Sequence, residues 1–520
     1  MTPTDVNLTD VSATGVSATE HPSRADTQFG QAIRDYDAAM PPGQVMTFKL
    51  SPLDRTGVPV WIASFRGDDG LLIDGIGYGA SDDEALCGAY GELCETTRTH
   101  HAIQSMRTIE QLSYTDMVND HGDDGVIDPR SLCLSAGTPW STDRPHDWVA
   151  VRRWRDGAAA WVPREFVAQR QSQLGPSPPL ITTITNGLGA GPSIAHSVEH
   201  GLCELLQRDG NCTAFRAMDR GRVIDIDAVD DPELTKLLAL ARSHNIRVMA
   251  KLARTDFGHV NVFVVGYDEP GSPWFPIQVT ACGEAAHPDR EVAIRKATLE
   301  FLAARARKAF MHGPLDRIDA LAPPRYMPSY FERFDPTAEE PRALEAMCEW
   351  VGSDADTLKS RLSDTVFSQN DTVPLSTLPT TGDGMDVAAA DRRLDYLIKQ
   401  LADEMIEVYY VDLGDEHSRD HGVHAARVIA PGLECETMSY GRIGVRGVRR
   451  AIDEDLSIVT RDRRDEQTRP VVLSPSDAAS FDFTPHLDFA AIDAIVGPLY
   501  PLYREPRSHA VQNRLHGPHW

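Results

Sequence analysis

The sequence lacks the features of a membrane or nucleic-acid-binding protein. No segment approaches the roughly 18 consecutive apolar residues that a membrane-spanning helix requires. Basic residues are scarce beside acidic ones, and 51 Lys and Arg against 77 Asp and Glu give a net charge of −26. Such a surface repels phosphate backbones and anionic lipid headgroups. We therefore expect neither a nucleic-acid partner nor membrane association.

Paired cysteines are also missing. The eight cysteines are dispersed, and none forms the Cys-x-x-Cys pair typical of zinc sites and redox motifs. The first 27 residues contain no apolar stretch of the kind that a secretion signal needs. Together these absences predict reduced thiols and a cytoplasmic protein.

At 520 residues the chain is too long for a single compact core. Residues 1–42, which begin with a Thr-, Ser- and Asp-rich stretch, are predicted to form a disordered tail. Residues 43–450 are predicted to form the main domain, with a less regular, Pro-rich insertion at 313–385. Residues 451–520 remain as a C-terminal extension whose role the pattern does not indicate.

Alternation of strand-like and helical patterns predicts an α/β, layered fold with an internal repeat. The segment GIGYGAS at 75–81 matches GLGAGPS at 187–193 without gaps. Each copy reads as a strand, a glycine-rich turn, a serine that can cap a helix, and then the helix itself. The repeat therefore predicts two related units.

The two predicted helices carry acidic or amide side chains at matching positions. Thirteen residues after the third glycine lie Glu92 in one copy and Glu204 in the other, followed three residues later by Glu95 and Gln207. Side chains at i and i+3 share a helix face and can bind one hard cation. Glycine-flanked backbone amides and a helix N-terminus favour an anion. Two such helices facing each other would hold Mg²⁺ on the phosphates of a nucleotide.

The same pattern also has a purely structural interpretation. Glycines before a helix often serve tight packing, and acids at i and i+3 often form a solvated face. The presence of two copies, with Arg208 beside the second, favours the functional interpretation. A third predicted helix offers Arg295, Glu300 and Arg305. Its arginines would clamp phosphates bidentately, or the three side chains would lie on the surface as solvated charges.

These segments resemble a known family. TNGLGAGPSIAHSVEHGLCELLQRDG resembles the YcaO signature, in which S-N-G-x-A-x-G precedes an E-x-x-E-R helix. GYGASDDEALCGAYGELCET resembles the first glycine-rich element of that family, and GEAAHPDREVAIRKATLEFLAARARK its third. The similarity extends in order over residues 45–435.

The resemblance implies an enzyme of peptide natural-product biosynthesis. YcaO proteins use ATP and Mg²⁺ to modify backbone amides of ribosomally made peptides. A nucleophile adds to the amide carbon, and phosphorylation converts the amide oxygen into a leaving group. A neighbouring side chain then gives an azoline, sulfide gives a thioamide, and an amine gives an amidine.

The resemblance also assigns residues. It implies Mg²⁺ ligands and ATP contacts, but no general acid or base. The implied Mg²⁺ ligands are Glu92, Glu95, Glu204 and Gln207, and the implied ATP contacts are Asn186, Arg208, Glu300 and Arg305.

Two departures from the family pattern bear on function. Gln207 replaces the second Glu of E-x-x-E-R, which removes one negative charge from the implied metal ligands. The ending RLHGPHW lacks the Pro-x-Pro-x-Pro of azoline-forming members, which favours a thioamide, an amidine or a divergent role. The alternatives are a YcaO-like binding or scaffold subunit without catalysis, and an unrelated acidic ligand-binding protein. Expected partners are a precursor peptide and a separate leader-binding or TfuA-like protein. Homodimer formation stays open.

Overall fold

The computed structural model of the chain describes residues 28–175, 178–269, 273–380, 389–435 and 437–517. These residues form a mixed assembly of helices and four sheets, which confirms the predicted α/β class. Among them, no helix combines the length and the apolar character needed to cross a lipid bilayer.

The strands fall into four sheets. An antiparallel sheet has the order β1-β2-β3, and a five-stranded sheet has the order β11-β10-β9-β8-β12, in which β12 runs parallel to β8. The third sheet has the order β4-β5-β13-β14-β7 with β6 on β5, and the fourth is β15-β17-β16. The strands are β1 (Gly43–Lys49), β2 (Val60–Gly67), β3 (Leu72–Tyr78), β4 (Thr108–Ser113), β5 (Pro145–Arg153), β6 (Ala159–Pro163), β7 (Leu188–Gly191), β8 (Arg222–Asp225), β9 (Ile246–Arg254), β10 (Val260–Asp268), β11 (Cys282–His287), β12 (Asp371–Pro374), β13 (Tyr409–Asp412), β14 (His424–Ile429), β15 (Val459–Thr460), β16 (Thr468–Pro470) and β17 (His486–Asp488).

Helices cover the faces of these sheets. The longest are α2, α4 and α6, and each follows directly on a strand. The helices are α1 (Gln28–Ala38), α2 (Asp82–Ser105), α3 (Tyr114–His121), α4 (Ile194–Asn211), α5 (Pro232–Ser243), α6 (Arg290–His312), α7 (Leu315–Asp319), α8 (Tyr326–Glu332), α9 (Pro341–Val351), α10 (Ala355–Leu362), α11 (Ala390–Asp403), α12 (Glu416–Asp420), α13 (Thr437–Tyr440), α14 (Val445–Asp453), α15 (Pro475–Ala478), α16 (Phe489–Val496), α17 (Tyr500–Tyr503) and α18 (Ala510–His516).

Three strand–helix pairs, β3–α2, β7–α4 and β11–α6, share a local design. Each helix begins after a capping side chain that accepts a hydrogen bond from the first turn: Ser81, Ser193 and Asp289, respectively. Each helix packs on its own strand and also contacts a strand of another pair, α2 on β7, α4 on β11 and α6 on β3. The three helices therefore surround a common centre.

The glycines of the predicted turns have a different role from the expected one. Gly75 and Gly77 lie inside β3, and Gly189 lies inside β7, so the repeated run is strand and not a phosphate-binding turn. A side chain at Gly77 or Gly189 would collide with the backbone of the following helix. Because Gly77 and Gly189 carry no side chain, the helix and strand backbones can touch, as the structural interpretation of the pattern proposed.

The structure revises the predicted tail and adds to two other predicted segments. Residues 28–38, assigned to the tail, form α1, because this helix packs against α2; residues 1–27 lie outside the described part. The described part of the insertion, residues 313–380, contains the four helices α7 to α10, and its β12 completes the five-stranded sheet. Residues 451–517 of the extension share a core with the rest of the chain, because Leu487 and Val511 are buried in the same core as residues of α9 and α10.

All eight cysteines are free thiols, as the sequence predicts. Cys94 is buried on α2, whereas Cys87 on the same helix is partly exposed.

Packing of α2 on β3 gives a direct test. A Cβ atom at Gly77 would lie 2.1 Å from both Ala85 O and Ala89 N, so Gly77→Ala must push the helix off the strand. We expect the free energy of unfolding to fall by about 1–3 kcal/mol. Gly91→Ala, on the same helix, is the control, because its Cβ would meet its nearest neighbour at 3.7 Å. Equal stability of the two variants in chemical denaturation would contradict this packing.

Candidate functional site

A glutamate from each of the three helices turns back to its own strand. Glu92, Glu204 and Glu300 each lie eleven residues after the helix cap, and each accepts a hydrogen bond from a backbone amide. The donors and distances are Ile76 N to Glu92 at 2.6 Å, Gly187 N to Glu204 at 2.8 Å and Glu284 N to Glu300 at 2.8 Å. Each hydrogen bond holds one carboxylate oxygen of the glutamate in place.

The carboxylates of α2 and α4 share one electrostatic environment. Burial raises the pKa of Glu95 well above its usual range, and the negative charges of Glu204 and Glu92 raise it further. Burial likewise raises the pKa of Glu92, with Glu204 among the contributing charges. The Glu92 side chain nevertheless stays exposed to solvent on one side. The structure thus brings together the three glutamates that the sequence assigns to Mg²⁺.

Cations stand close to these acids. Burial alone would lower the pKa of Arg307, but the carboxylates of Glu505, Glu300 and Glu92 outweigh it and raise the pKa. Arg208 makes ion pairs with Glu204 at 3.4 Å and with Glu284 at 3.1 Å. The site therefore offers acidic oxygens for a metal and guanidinium groups for phosphates.

Glu284 is a central residue that the sequence analysis did not single out. Its Oε2 accepts hydrogen bonds from the side chains of Gln207 at 3.0 Å, Arg208 at 3.1 Å and Asn211 at 2.7 Å. Because the Gln207 amide nitrogen is committed to Glu284, the amide oxygen points away from it. A glutamate at 207 would instead face the Glu284 carboxylate. Gln207 therefore complements Glu284, because its amide nitrogen donates a hydrogen bond to the Glu284 carboxylate.

Glu505, from the predicted C-terminal extension, is another residue of this region that the sequence pattern does not reveal. It binds Lys308 at 2.6 Å and His312 at 2.8 Å on α6. Burial would raise its pKa, but the charges of Lys308, His312 and Arg307 hold the pKa well below its usual range. A segment some 200 residues away along the chain thus fixes the end of α6 beside the acids.

The structure places Arg305 and Arg295 away from this cluster. The Arg305 guanidinium is fully buried and binds Asp54 at 3.0 Å and Asp268 at 3.1 Å. Because the Arg305 guanidinium is paired with these two buried aspartates, we remove Arg305 from the candidate nucleotide contacts. Arg307, two residues further on, interacts with the acids of the cluster instead. Arg295 pairs with Asp231 at the start of α5.

Asn186 precedes the amide donor Gly187 and lines a small cavity beside Arg427 and Leu205. Burial lowers the pKa of Arg427 to about 10, although the carboxylates of Glu204 and Glu95 favour its charged form. Asn186 is therefore next to the acid cluster but opens into its own cavity.

The donor set fits Mg²⁺ held jointly with phosphates. In the part of the chain that the structure describes, no three His, Cys, Asp or Glu side chains close around one point as a complete metal cage. Mg²⁺ commonly takes one or two carboxylates and fills its shell with water and phosphate oxygens. Glu92, Glu95, Glu204 and the Gln207 oxygen would supply the protein's share.

The titration of Glu300 gives a pH test. Burial raises the pKa of Glu300 from 4.5 to about 7. Between these values the folded chain keeps a proton that the unfolded chain has released, so folded wild type loses stability as the pH rises. Glu300→Gln cannot titrate, and the stability of this variant relative to wild type should rise across that window by up to about 3 kcal/mol.

The measurement is denaturant unfolding at several pH values in EDTA without nucleotide. Below about pH 4 the two proteins should differ little, because protonated Glu300 resembles glutamine. A difference that stays constant with pH would contradict the assignment.

Two uncharacterised proteins are similar in sequence to this chain. A protein 27% identical over 402 residues, uncharacterised and from Methanothermobacter thermautotrophicus, covers 76% of this chain and 91% of its own. An uncharacterised protein in the tfuA 3′ region of Rhizobium leguminosarum bv. trifolii is 27% identical, covering 58% of this chain and 69% of its own.

Two solved structures share the fold. YcaO from Methanopyrus kandleri, bound with AMPPCP and Mg²⁺, has a TM-score of 0.52 at 18% identity, over 80% of this chain and 94% of its own. A heterocyclase in complex with substrate and cofactor has a TM-score of 0.57 at 15% identity, over 82% of this chain and 55% of its own.

The family model of the YcaO cyclodehydratases, described as ATP- and Mg²⁺-binding, matches residues 76–434. This range contains all three strand–helix pairs except the first residues of β3, together with every carboxylate of the cluster except Glu505. The match covers more than half of the chain, and the chain belongs to the YcaO family.

Proposed function

We propose that this protein uses ATP and Mg²⁺ to phosphorylate the oxygen of a backbone amide in a ribosomally made peptide. The observation that carries the proposal is the convergence of Glu92, Glu95 and Glu204 from two helices, with Arg208 and Arg307 beside them. Membership of an ATP- and Mg²⁺-binding cyclodehydratase family supports the same activity.

The proposed role of each residue follows from the charge of its side chain. Bound Mg²⁺–ATP supplies the phosphoryl group that makes the amide oxygen a leaving group. Glu92, Glu95 and Glu204 would hold the metal through carboxylate oxygens, together with the Gln207 oxygen. Arg208 and Arg307 would hold phosphate oxygens, and their fixed positive charge would stabilise the negative charge that spreads over the transferred group. Backbone bonds to Glu92 and Glu204 hold these ligands in place before the nucleotide binds.

The relatives support the cofactors and suggest a partner. The Methanopyrus kandleri structure contains AMPPCP and Mg²⁺, and the heterocyclase structure contains a substrate and a cofactor. The Rhizobium relative is named for its position in the tfuA 3′ region, which supports a TfuA-like partner that presents the precursor peptide.

The product is an azoline, a thioamide or an amidine, according to the nucleophile. Mass spectrometry of a candidate peptide after reaction separates them. Loss of one water indicates an azoline, and exchange of oxygen for sulfur indicates a thioamide. A protein that binds Mg²⁺–AMPPCP but changes no peptide would favour the scaffold alternative.

The acid cluster can be tested by single substitutions. Glu92→Gln and Glu204→Gln each remove one negative charge from the metal ligands while keeping the side-chain shape. We expect peptide-dependent phosphate release to fall by about 100-fold or more, because metal and phosphate clamps supply much of phosphoryl-transfer catalysis. Glu345→Gln, on the exposed side of α9, is the control. Unchanged turnover in both site variants would sink the proposal.

The pairing of Gln207 with Glu284 makes a second test. Glu284→Gln frees the Gln207 amide to turn its nitrogen toward the metal and removes a partner of Arg208. Loss of such an orienting group typically costs 10–100-fold in metal affinity. We expect the Mg²⁺ concentration that supports half-maximal AMPPCP binding, measured by calorimetry, to rise about tenfold.

The exchange variant is the matched control. Gln207→Glu alone places two carboxylates in contact and should weaken binding, whereas Gln207→Glu with Glu284→Gln restores one acid and one amide. Recovery in the double variant supports the pairing. If the double variant binds no better than Gln207→Glu alone, the pairing is wrong.

A further inference from the structure

A small cavity of about 70 Å³ lies beside the acid cluster. Leu205, the residue after Glu204, and Val428 of β14 form part of its wall. Its volume suits one small group, such as a carboxylate or a single amide, and is far too small for a nucleotide. Of the residues assigned above to Mg²⁺ or ATP, Asn186 alone lines this cavity.

Two buried arginines line the cavity with unused donors. Arg427 is 4% exposed and donates through Nη2 to Ile184 O at 2.8 Å. Arg442 is 5% exposed and donates to Cys133 O at 2.8 Å and Leu132 O at 2.9 Å. Within the described ranges, Nε and Nη1 of Arg427 and Nη1 of Arg442 have no hydrogen-bond partner. Leaving buried donors of this kind without a hydrogen bond costs free energy.

The acidic side chain in the cavity wall does not satisfy these donors. Glu434 accepts hydrogen bonds from Gly444 N at 2.8 Å and from Gly447 N at 2.7 Å. Arg427 and Arg442 are also close enough for their like charges to interact. Two neighbouring guanidinium groups in a buried cavity favour an oxygen acceptor that carries negative charge.

The rest of the wall is apolar. Leu132, Phe166, Ile181 and Ile184 contribute hydrocarbon or aromatic surface next to the two arginines. A free phosphate would gain nothing from such a wall. A peptide, in contrast, carries carbonyl oxygens and apolar side chains together.

We propose that this cavity, lined by Arg427, Arg442 and Asn186, binds a peptide-derived oxyanion, with an apolar part of the peptide against Phe166 and Ile181. The proposal rests on the proposed function for the identity of the peptide as substrate. Arg427 lines the cavity and its charge also interacts with that of Glu204, so an oxygen held there is close to the acid cluster. The two arginines would stabilise the negative oxygen that forms when the nucleophile adds to the amide carbon, with electrons moving from the C=O bond to oxygen.

The test uses the full chain in EDTA, without nucleotide. In the absence of metal the acid cluster repels anions, so anion binding reports on the arginines. The probes are N-acetyl-leucine, its neutral methylamide and inorganic phosphate. Binding of the two leucine derivatives is detected by saturation-transfer NMR, and binding of phosphate by ³¹P NMR. We expect N-acetyl-leucine to bind more tightly than the methylamide, and Arg427→Gln to weaken that binding about tenfold or more.

A second variant guards against misfolding. Asn186→Asp changes a half-buried residue at the cavity wall without removing either arginine, and its negative charge should also weaken N-acetyl-leucine binding. Thermal unfolding of both variants verifies the fold.

Three results would overturn the proposal. These are no binding of N-acetyl-leucine, binding unaffected by either substitution, and binding of phosphate alone, which would assign the cavity to the nucleotide. Because no ATP or Mg²⁺ is present, these results are independent of AMPPCP binding, which tests the proposed function.

Discussion

The architecture of this protein depends on keeping several carboxylates close together. Like charges in a partly buried cluster repel, and burial alone raises the pKa of Glu92, Glu95 and Glu300. The fold offsets this cost with backbone amide donors from β3, from β11 and from Gly187 just before β7, and with nearby guanidinium groups. A divalent cation with phosphates would neutralise what remains. The same cluster that strains the free protein thus suits Mg²⁺–ATP.

Two features show how neighbouring residues set the role of a side chain. Gln207 looks like the loss of a metal ligand when the sequence alone is compared with the E-x-x-E-R pattern. In the structure it is hydrogen-bonded to Glu284, whose carboxylate would oppose a glutamate there. Arg305 and Arg307 are two residues apart on α6, yet one is an internal ion-pair partner and the other faces the acids. A helix turns about 200° over two residues, which separates their directions.

The C-terminal residues belong to the same structural unit as the site. Glu505 anchors Lys308 and His312, and Tyr503 accepts from Ala217 N and donates to Phe215 O. Residues of β17, α16 and α18 fill one core with α9 and α10. The position of α6, and with it Arg307 and Glu300, therefore depends on residues far away in the sequence.

The sequence by itself determined the α/β class and predicted the strand–helix pairs and the acids Glu92, Glu95 and Glu204, because helical spacing and capping residues are local properties. It placed the glycines in turns, where the structure has strands, because a glycine run does not reveal which backbone will approach it. Glu284, Arg307, Glu505 and the Arg427–Arg442 cavity were decided only by the tertiary structure. Each acquires its role from partners on other elements, and the burial and charge that those partners impose are not written in any local pattern.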